Sequence, residues 1–496
     1  MIHPKSTFRL TQLLLSIALL AMFPTLIFSQ DEMGQSLSNY SPTTTLKLNP
    51  ASIADSKVWL DIHLVGAGLS VHNDFAYMPG NDFNWSMLWK NPEAIPDPNF
   101  NRNRAKYMAH AEAFGQLPGF SLVLGKNSLA INTGVRSITD IRGLPEHLAN
   151  YAIEGFQWAD QMGEAFSATN MRIASLNFAQ VGLSYARMLK VENNEILSAG
   201  ITVNRFIGIG GAGITIENWD YTVIDSLNLQ TSSINGKYGV TEPAFNNGRG
   251  WGVDLGIMYK KTRSSVDSYV PHDSDTGCRS SDYIHKIGVA VLDLGRISFD
   301  PVFYAGTFSN AEPILWEDYS NADPEDLEEL IDLLDEELSD GNVNASDTPE
   351  TEQFRMLLPT ALSFQYDRWI NGPFYIGSTL VQGFGRKNNF GPQRMSQLAL
   401  IPRAEWKRLE LSIPIVLRNY RDPSLGVMLR INSIIIGSDR IGSWIPGVNP
   451  DVYGADFYIH FKYSIFNRSA CKGKSSRVRA SKGKSKSGKV LPCPSW

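Results

Sequence analysis

Histidine is the first residue type to test for chemistry, because its side chain takes up and releases a proton near neutral pH. The chain has eight, no two of them at the i, i+4 spacing that brings a metal-binding pair onto one helix face. His63, His72 and His460 fall in strand-like segments where a Ser/His or Asp/His site on a wall could be built. The sequence supplies no Gly-x-Ser-x-Gly elbow and no Cys-x-x-Cys pair to match them. Gly208-Ile209-Gly210-Gly211-Ala212-Gly213 satisfies the letters of G-x-G-x-x-G. A dinucleotide site needs a helix to open at the last glycine, and Ile214-Thr215-Ile216 continues in β-branched residues, so the run reads as a glycine-rich strand where a wall bends. Twelve acids and no base lie between Glu317 and Asp340. That stretch suits cations or a basic partner, or is a solvated helix packed on a loop or plug, and it lacks the Asp-x-Asp-x-Asn-Gly order of a calcium loop. No catalytic, cofactor-binding or metal-ligating residue is assigned, no cofactor is implied, and the chain reads as a non-enzyme.

The elements that would position any such residue are strands. From Tyr453 the odd positions are Tyr453, Ala455, Phe457, Ile459, Phe461, Tyr463 and Ile465, while Gly454, Asp456, His460, Lys462 and Ser464 take the even ones. Successive strand side chains point to opposite faces, so one face suits lipid and the other water. Leu362, Phe364 and Tyr366 alternate with Ser363, Gln365 and Asp367; Val253, Leu255, Ile257 and Tyr259 with Asp254, Gly256 and Lys260; Leu60, Ile62 and Leu64 with Asp61 and His63. Further copies start near Val181, Leu197, Ile287, Tyr375, Leu409 and Val427. A β-sandwich shares this alternation. Strands of ten residues or more, a polar face of Gly, Ser, Ala and charges, and aromatics at strand ends (Trp369, Phe374, Tyr375, Trp406, Tyr420, Tyr453 and Phe466) favour a membrane barrel with an interfacial girdle. The expected fold is all-β: a transmembrane antiparallel β-barrel of about 14 strands with short helical insertions, a number taken from typical barrel dimensions.

Lys5 and Arg9 precede an apolar run, Leu13 to Phe28, broken only by Ser16, Pro24 and Thr25. That order is a secretory signal peptide, residues 1–29, cleaved after Ser29. Beyond residue 30 no apolar stretch reaches the roughly 18 residues of a spanning helix. An N-terminal periplasmic segment, 30–56, would then lead into the barrel, 57–466. Pro145 to Gly155 and Asp323 to Leu338 look helical, the second as an acidic helical insertion, 317–340, with Asp323 as N-cap and Pro324 at the first helical position. Thr262 to Asp282 reads as a long polar surface loop. Residues 467–496 form a basic tail whose Lys/Gly/Ser composition cannot bury a core and is expected to be disordered. The overall charge is −5, and nine Lys or Arg with no acid lie in 468–496, which leaves the rest near −14. Cys278, Cys471 and Cys493 are too few for a disulfide framework, and pairing of the last two stays open.

Asn49-Pro50-Ala51-Ser52-Ile53-Ala54 resembles the Asn-Pro-Ala stretch that precedes the first strand of fatty-acid-transporter-like outer-membrane barrels. Leu358-Pro359-Thr360-Ala361-Leu362-Ser363, Leu425-Gly426-Val427-Met428-Leu429-Arg430, Ile436-Gly437-Ser438-Asp439 and Gly454-Ala455-Asp456-Phe457-Tyr458 are similar to the closing strands of Bacteroidota outer-membrane barrels, among them a domain family of unknown function and the type IX secretion and gliding-motility barrels. The resemblance implies a cell-outer-membrane barrel that partners a surface-exported protein or passes hydrophobic solutes. Three readings follow. The first is a structural or export-associated scaffold for partner proteins. The second is a channel or transporter for small or hydrophobic solutes, with Asp456, His460 and Lys462 lining its lumen. The third is a secreted soluble β-sandwich binding protein. The implied partners are outer-membrane lipid, a surface or periplasmic protein, and peptidoglycan through the basic tail; export removes nucleic acid from consideration.

Overall fold

A computed structural model describes residues 31–80, 87, 98–102, 104–154, 162–225, 228–267, 269–274, 280–300, 304–309, 314–316, 354–385, 390–445 and 451–468. The signal peptide, the acidic insertion 317–340, all three cysteines and the tail from residue 469 lie outside the described residues.

The strands close into one antiparallel barrel of 14 positions. In chain order they are β1 (Leu60–Asn73), β2 (Lys106–Leu124), β3 (Asn127–Pro145), β4 (Ala165–Glu192), β5 (Glu195–Val223), β6 (Leu229–Val240 and Gly248–Thr262), β7 (Tyr283–Phe299, continued by Tyr304–Ser309 and Ile314–Trp316), β8 (Phe354–Leu357 and Ala361–Asn371), β9 (Phe374–Gly383), β10 (Gln397–Glu405), β11 (Leu409–Ser412 and Ile415–Arg418), β12 (Asp422–Leu425 and Val427–Ile431), β13 (Ile434–Ser438) and β14 (Gly454–Ile465). β14 pairs with β1 from Leu60 opposite Ile465 to His72 opposite Gly454, so the sheet has no open edge at its seam. Both termini of the wall lie at one end. That end carries tight turns such as Asn193-Asn194, where both residues adopt positive φ.

Alternation decides the two faces as expected. Phe457, Phe461 and Tyr463 face outward and Asp456, His460 and Lys462 inward; Leu255 and Ile257 face outward on β6, Leu362 and Phe364 on β8. A bulge between His63 and Val65 leaves both Leu64 and Val65 outside. Gly208 to Gly213 lies in the middle of β5, and the helix after Pro145 spans Glu146–Glu154. β4 and β5 run 28 and 29 residues, well beyond the starts read at Val181 and Leu197. Their outer halves alternate less strictly, which hid them. Tyr375, read as part of the girdle, faces inward instead. Its ring lies 5.7 Å from that of Tyr283 and beneath the Arg403 guanidinium.

Two expectations about unstructured connections are corrected. Residues 31–56 do not lie outside the barrel but fill its lumen, with Met33, Leu37, Leu48 and Ile53 buried. A wall whose inner face carries charges needs polar partners, and this Ser/Thr/Asn-rich segment supplies them. The 262–282 connection is also not a free surface loop. Val266 and Tyr269 pack with Leu46, Ile53 and Ala54, and the Tyr269 hydroxyl donates to Asp55 at 2.9 Å.

The Asn-Pro-Ala stretch has a structural reason. Asn49 caps a short 3-10 turn, Pro50–Ile53, by accepting the Ala51 N–H at 2.9 Å. It also donates from Nδ2 to the Ile257 carbonyl at 3.2 Å. Gly200 on β5, Gly256 on β6 and Gly288 on β7 make the floor beneath it. A Cβ at Gly256 would stand 2.2 Å from Asn49 Oδ1, and one at Gly200 2.5 Å from Pro50 C. Gly256→Val should therefore unseat the segment and lower stability by about 1–3 kcal/mol, the usual cost of overpacking. Thermal unfolding followed by circular dichroism checks this: a midpoint equal to wild type would mean that Asn49 is not held there.

Candidate functional site

The lumen is organised in three tiers. Nearest the termini is the plug, residues 31–56, fixed around most of the circumference by polar contacts. Asp61 on β1 accepts from Thr43 Oγ1 at 2.7 Å and pairs with Lys462 at 3.3 Å. Glu410 on β11 accepts from Ser38 Oγ at 2.6 Å and from Arg430 Nε at 3.0 Å. Asn39 Nδ2 donates to Glu405 at 3.1 Å and to Tyr283 Oη at 2.8 Å, beside the bidentate Arg403–Asp367 pair. Asp439, just after β13, accepts the backbone N–H of Met33 at 2.7 Å. Lys260 on β6 pairs with Asp55 at 3.1 Å. The buried wall charges thus carry the partners that make their burial tolerable.

On the side of the plug away from the termini, apolar side chains of β4, β5, β7 and β8 form a seal. Phe178, Phe206, Ile297, Phe299, Phe354 and Met356 form one buried cluster with Phe390 against it. Phe178 and Phe206 meet edge to face at 5.3 Å, and Phe354 and Phe390 at 5.1 Å. The seal explains the glycine run on β5: a Cβ at Gly211 would meet Met356 Sδ at 2.4 Å and one at Gly213 would meet Phe390 Cβ at 2.7 Å. The glycines admit the aromatics that close the lumen.

Between plug and seal lies a polar chamber of about 80 Å³, bordered by Lys47, Glu112, Phe114, Arg136, Asp254 and Arg394. A file of ion pairs starts along it and continues beyond Glu112 into the wall. Asp31 pairs with Arg394, which pairs with Asp293 at 3.1 Å; Arg136 joins Asp293 at 3.0 Å to Glu112 at 3.4 Å; His110 joins Glu112 at 3.6 Å to Asp140 at 3.2 Å; and Arg142 reaches Asp140 at 2.9 Å. Burial pushes the Asp31 carboxyl up, but the Arg394 guanidinium outweighs it and holds the group below its ordinary value.

Two ionisable groups at the chamber lack a direct ion-pair partner among the described residues. The Lys47 ammonium lies 3.7 Å from the Phe114 ring centre and has no carboxylate within ion-pair distance among the described residues. Burial lowers its pKa. Asp254 accepts from Asn204 Nδ2 at 2.9 Å and from the Asp293 N–H at 2.7 Å, and no cation pairs with it among the described residues.

The three histidines weighed from the sequence sit elsewhere in the lumen, each turned to the plug or the wall. His63 packs on His460 at 5.2 Å between ring centres, and His460 Nε2 lies 2.7 Å from Glu32 of the plug. His72 lies between Arg440 at 2.6 Å and Asp422 at 3.3 Å. The lumen set Asp456, His460 and Lys462 does face inward, but it holds the wall and plug together and does not border the chamber. Lys47, Asp31 and Arg394 carried no sequence signal beyond being charges in segments poor in them. Asp254 stood on the polar face of an alternating strand.

No curated protein matches the sequence. Solved structures similar to it are the Ralstonia pickettii toluene transporter TbuX (8% identity, 85% of this chain and 94% of that chain covered, TM-score 0.39), the Pseudomonas putida toluene transporter TodX (8%, 89% and 100%, 0.37) and a Pseudomonas aeruginosa FadL homologue (11%, 89% and 99%, 0.36). Likeness at this level says nothing about cargo. A family model, in contrast, spans residues 50–439, and the chain belongs to the family of unknown function DUF5723.

Proposed function

We propose that the protein is an outer-membrane channel for small polar solutes, shut in this state by the plug on one side and the aromatic seal on the other. Membrane residence is supported by the outer face. On β5 and β6 the outward pairs Leu197–Tyr259, Ala199–Ile257, Ile201–Leu255 and Val203–Val253 follow one another, and Ile287, Val289, Val291 and Leu294 continue them on β7. Charged rows flank this belt, Glu195–Lys261 on the side of the termini and Arg205–Trp251 on the other. Ten residues separate the rows on β5. At about 3.4 Å per residue and a tilt of about 40° they bound a band of roughly 26 Å, close to the apolar belt of outer-membrane barrels. An even strand number and tight turns beside both termini agree with a periplasmic location of that end.

The observation that carries the transport reading is the chamber with its amine and carboxyl that lack direct ion-pair partners among the described residues. A barrel that served only as a rigid support would gain nothing from burying an amine and a carboxyl in its interior without direct ion-pair partners, where each costs free energy that a ligand of opposite charge offsets. A solute with its own charges or several hydrogen-bonding groups satisfies both. Charged walls disfavour apolar cargo. Many of the plug's contacts are polar and exchange for water at modest net cost, although Met33, Leu37 and Leu48 must also leave apolar contacts with the wall.

Because the seal also blocks conduction, the plug is tested in a protein whose seal is opened by Phe178→Ala and Phe206→Ala; there, deleting residues 31–48 should turn a silent protein into one that conducts ions in planar bilayers. A deletion variant that folds, shifts on heating in gels and still does not conduct would overturn the channel and leave a barrel that acts through partners. Asp31→Asn removes one anchor of the gate and should raise the open fraction about tenfold, in line with the roughly 1.5–3 kcal/mol of a charge-assisted hydrogen bond. The sign of the pH effect follows from the lowered Asp31 pKa. The tie to Arg394 contributes fully above the unfolded value of 3.8 and is lost as the pH falls through the lower folded value. With the seal opened, conductance of the channel that keeps Asp31 should therefore stay near zero from pH 8 to about 4 and rise below it, whereas the Asp31→Asn channel should show no such step; matching pH profiles would rule out Asp31 as a latch.

A further inference from the structure

The outer wall carries a basic patch that a channel does not need. In one outward row Arg205, Trp251, Arg296 and Leu357 lie side by side on β5 to β8. The next row, farther from the termini, places Arg249, Ser298 and Arg355 beside one another. Trp251 is 61% exposed, and Arg249 and Arg296 are also exposed. The Arg205 guanidinium lies 5.0 Å from the Trp251 ring centre and donates from Nη1 to the Gly250 carbonyl at 3.3 Å.

This patch differs from the other charges of the barrel. Inside, arginines are matched to carboxylates, as in Arg403–Asp367, Arg418–Asp456 and Arg430–Glu410. Outside, Arg205, Arg249 and Arg296 have no ion-pair partner among the described residues. Asp300, the next acid along β7, follows one row farther out and pairs with none of them among the described residues. The opposite rim of the apolar belt is balanced, because Lys261 there pairs with Glu195 at 3.2 Å. Unmatched guanidiniums at the edge of an apolar belt, next to an exposed tryptophan, stand at the depth of lipid headgroups. Guanidinium is the side-chain group best shaped to hold phosphate through paired N–H donors.

We propose that this patch binds the phosphate of an anionic lipid headgroup in the leaflet at the end of the barrel away from the termini. Arg205, Arg249 and Arg296 take the phosphate oxygens, and Trp251 lies against the apolar part of the same lipid. The inference rests on the membrane reading above, though not on the channel. A lipid held there braces the strands that carry Phe206 and Ile297 on their inner face, which are part of the seal.

The test is native mass spectrometry of the full chain in a non-ionic detergent, titrated separately with phosphatidylglycerol, phosphatidylcholine and inorganic phosphate. Wild type should retain phosphatidylglycerol in preference to phosphatidylcholine. The triple variant Arg205→Gln, Arg249→Gln, Arg296→Gln should bind phosphatidylglycerol at least roughly tenfold more weakly, the scale expected of several cations facing an anionic lipid, while Lys261→Gln at the opposite rim leaves binding unchanged. Equal retention by the triple variant and wild type would overturn the proposal, as would inorganic phosphate displacing the lipid at equal concentration, which marks a plain anion site. Gel mobility with and without boiling separates these results from a failure of the membrane reading: a chain soluble without detergent and unshifted by heat removes the membrane itself, whereas a heat-shifting triple variant with unchanged lipid binding removes only the patch.

Discussion

Closing a sheet into a tube with an apolar outside forces the alternate side chains, polar and often charged, into the interior. That constraint governs the rest of the structure. A charge enclosed by a wall must find an opposite charge, a hydrogen-bond partner or water, because leaving it bare costs several kcal/mol. The barrel meets the demand in three ways: with cross-strand pairs such as Arg418–Asp456, with the plug, and with the ion-pair file from Asp31 to Arg142. Each removes charge from isolation.

The plug follows from the same demand. Its backbone and its Ser, Thr and Asn side chains meet carboxylates of the wall at Asp61, Glu405, Glu410 and Asp439, while wall cations such as Lys260 and Lys462 donate to the segment in turn. It is seated by shape where Asn49 and Pro50 drop onto glycines of three adjacent strands. Polar fixing, a steric seat and apolar contacts of Met33, Leu37 and Leu48 with the wall together give one defined position. The seal at the other end uses the opposite chemistry. Glycines on β5 make room for aromatics, and an apolar constriction blocks ions and water by dewetting.

Function in this reading lies in what the pairing leaves over. Lys47 and Asp254 face one chamber without partners of opposite charge among the described residues, between a polar gate and an apolar one. The outer arginines repeat the pattern on the other face, where Arg205, Arg249 and Arg296 have no ion-pair partner among the described residues.

The period-two pattern by itself determined the strands and their facing, because alternation is local and each residue's face is set by its neighbours two positions away; strand length, the polar face and terminal aromatics favoured a barrel over a sandwich, and typical barrel dimensions supplied its approximate size. Alternation assigned Asp456, His460 and Lys462 to the inside and Leu255, Ile257 and Phe364 to the outside. It also identified the glycine run as strand, since Ile214-Thr215-Ile216 cannot open a helix easily. Only the tertiary structure decided where residues 31–56 go, because a Ser/Thr-rich segment with no periodicity carries no record of the wall it pairs with hundreds of residues later; Met33 bonds Asp439 across 406 positions. For the same reason Tyr375 could be read as an interfacial aromatic when its ring in fact stacks inside on Tyr283. The chamber was invisible for a deeper reason: a charge is uncompensated only relative to everything around it, and Lys47, Phe114 and Asp254 become neighbours only when the sheet closes.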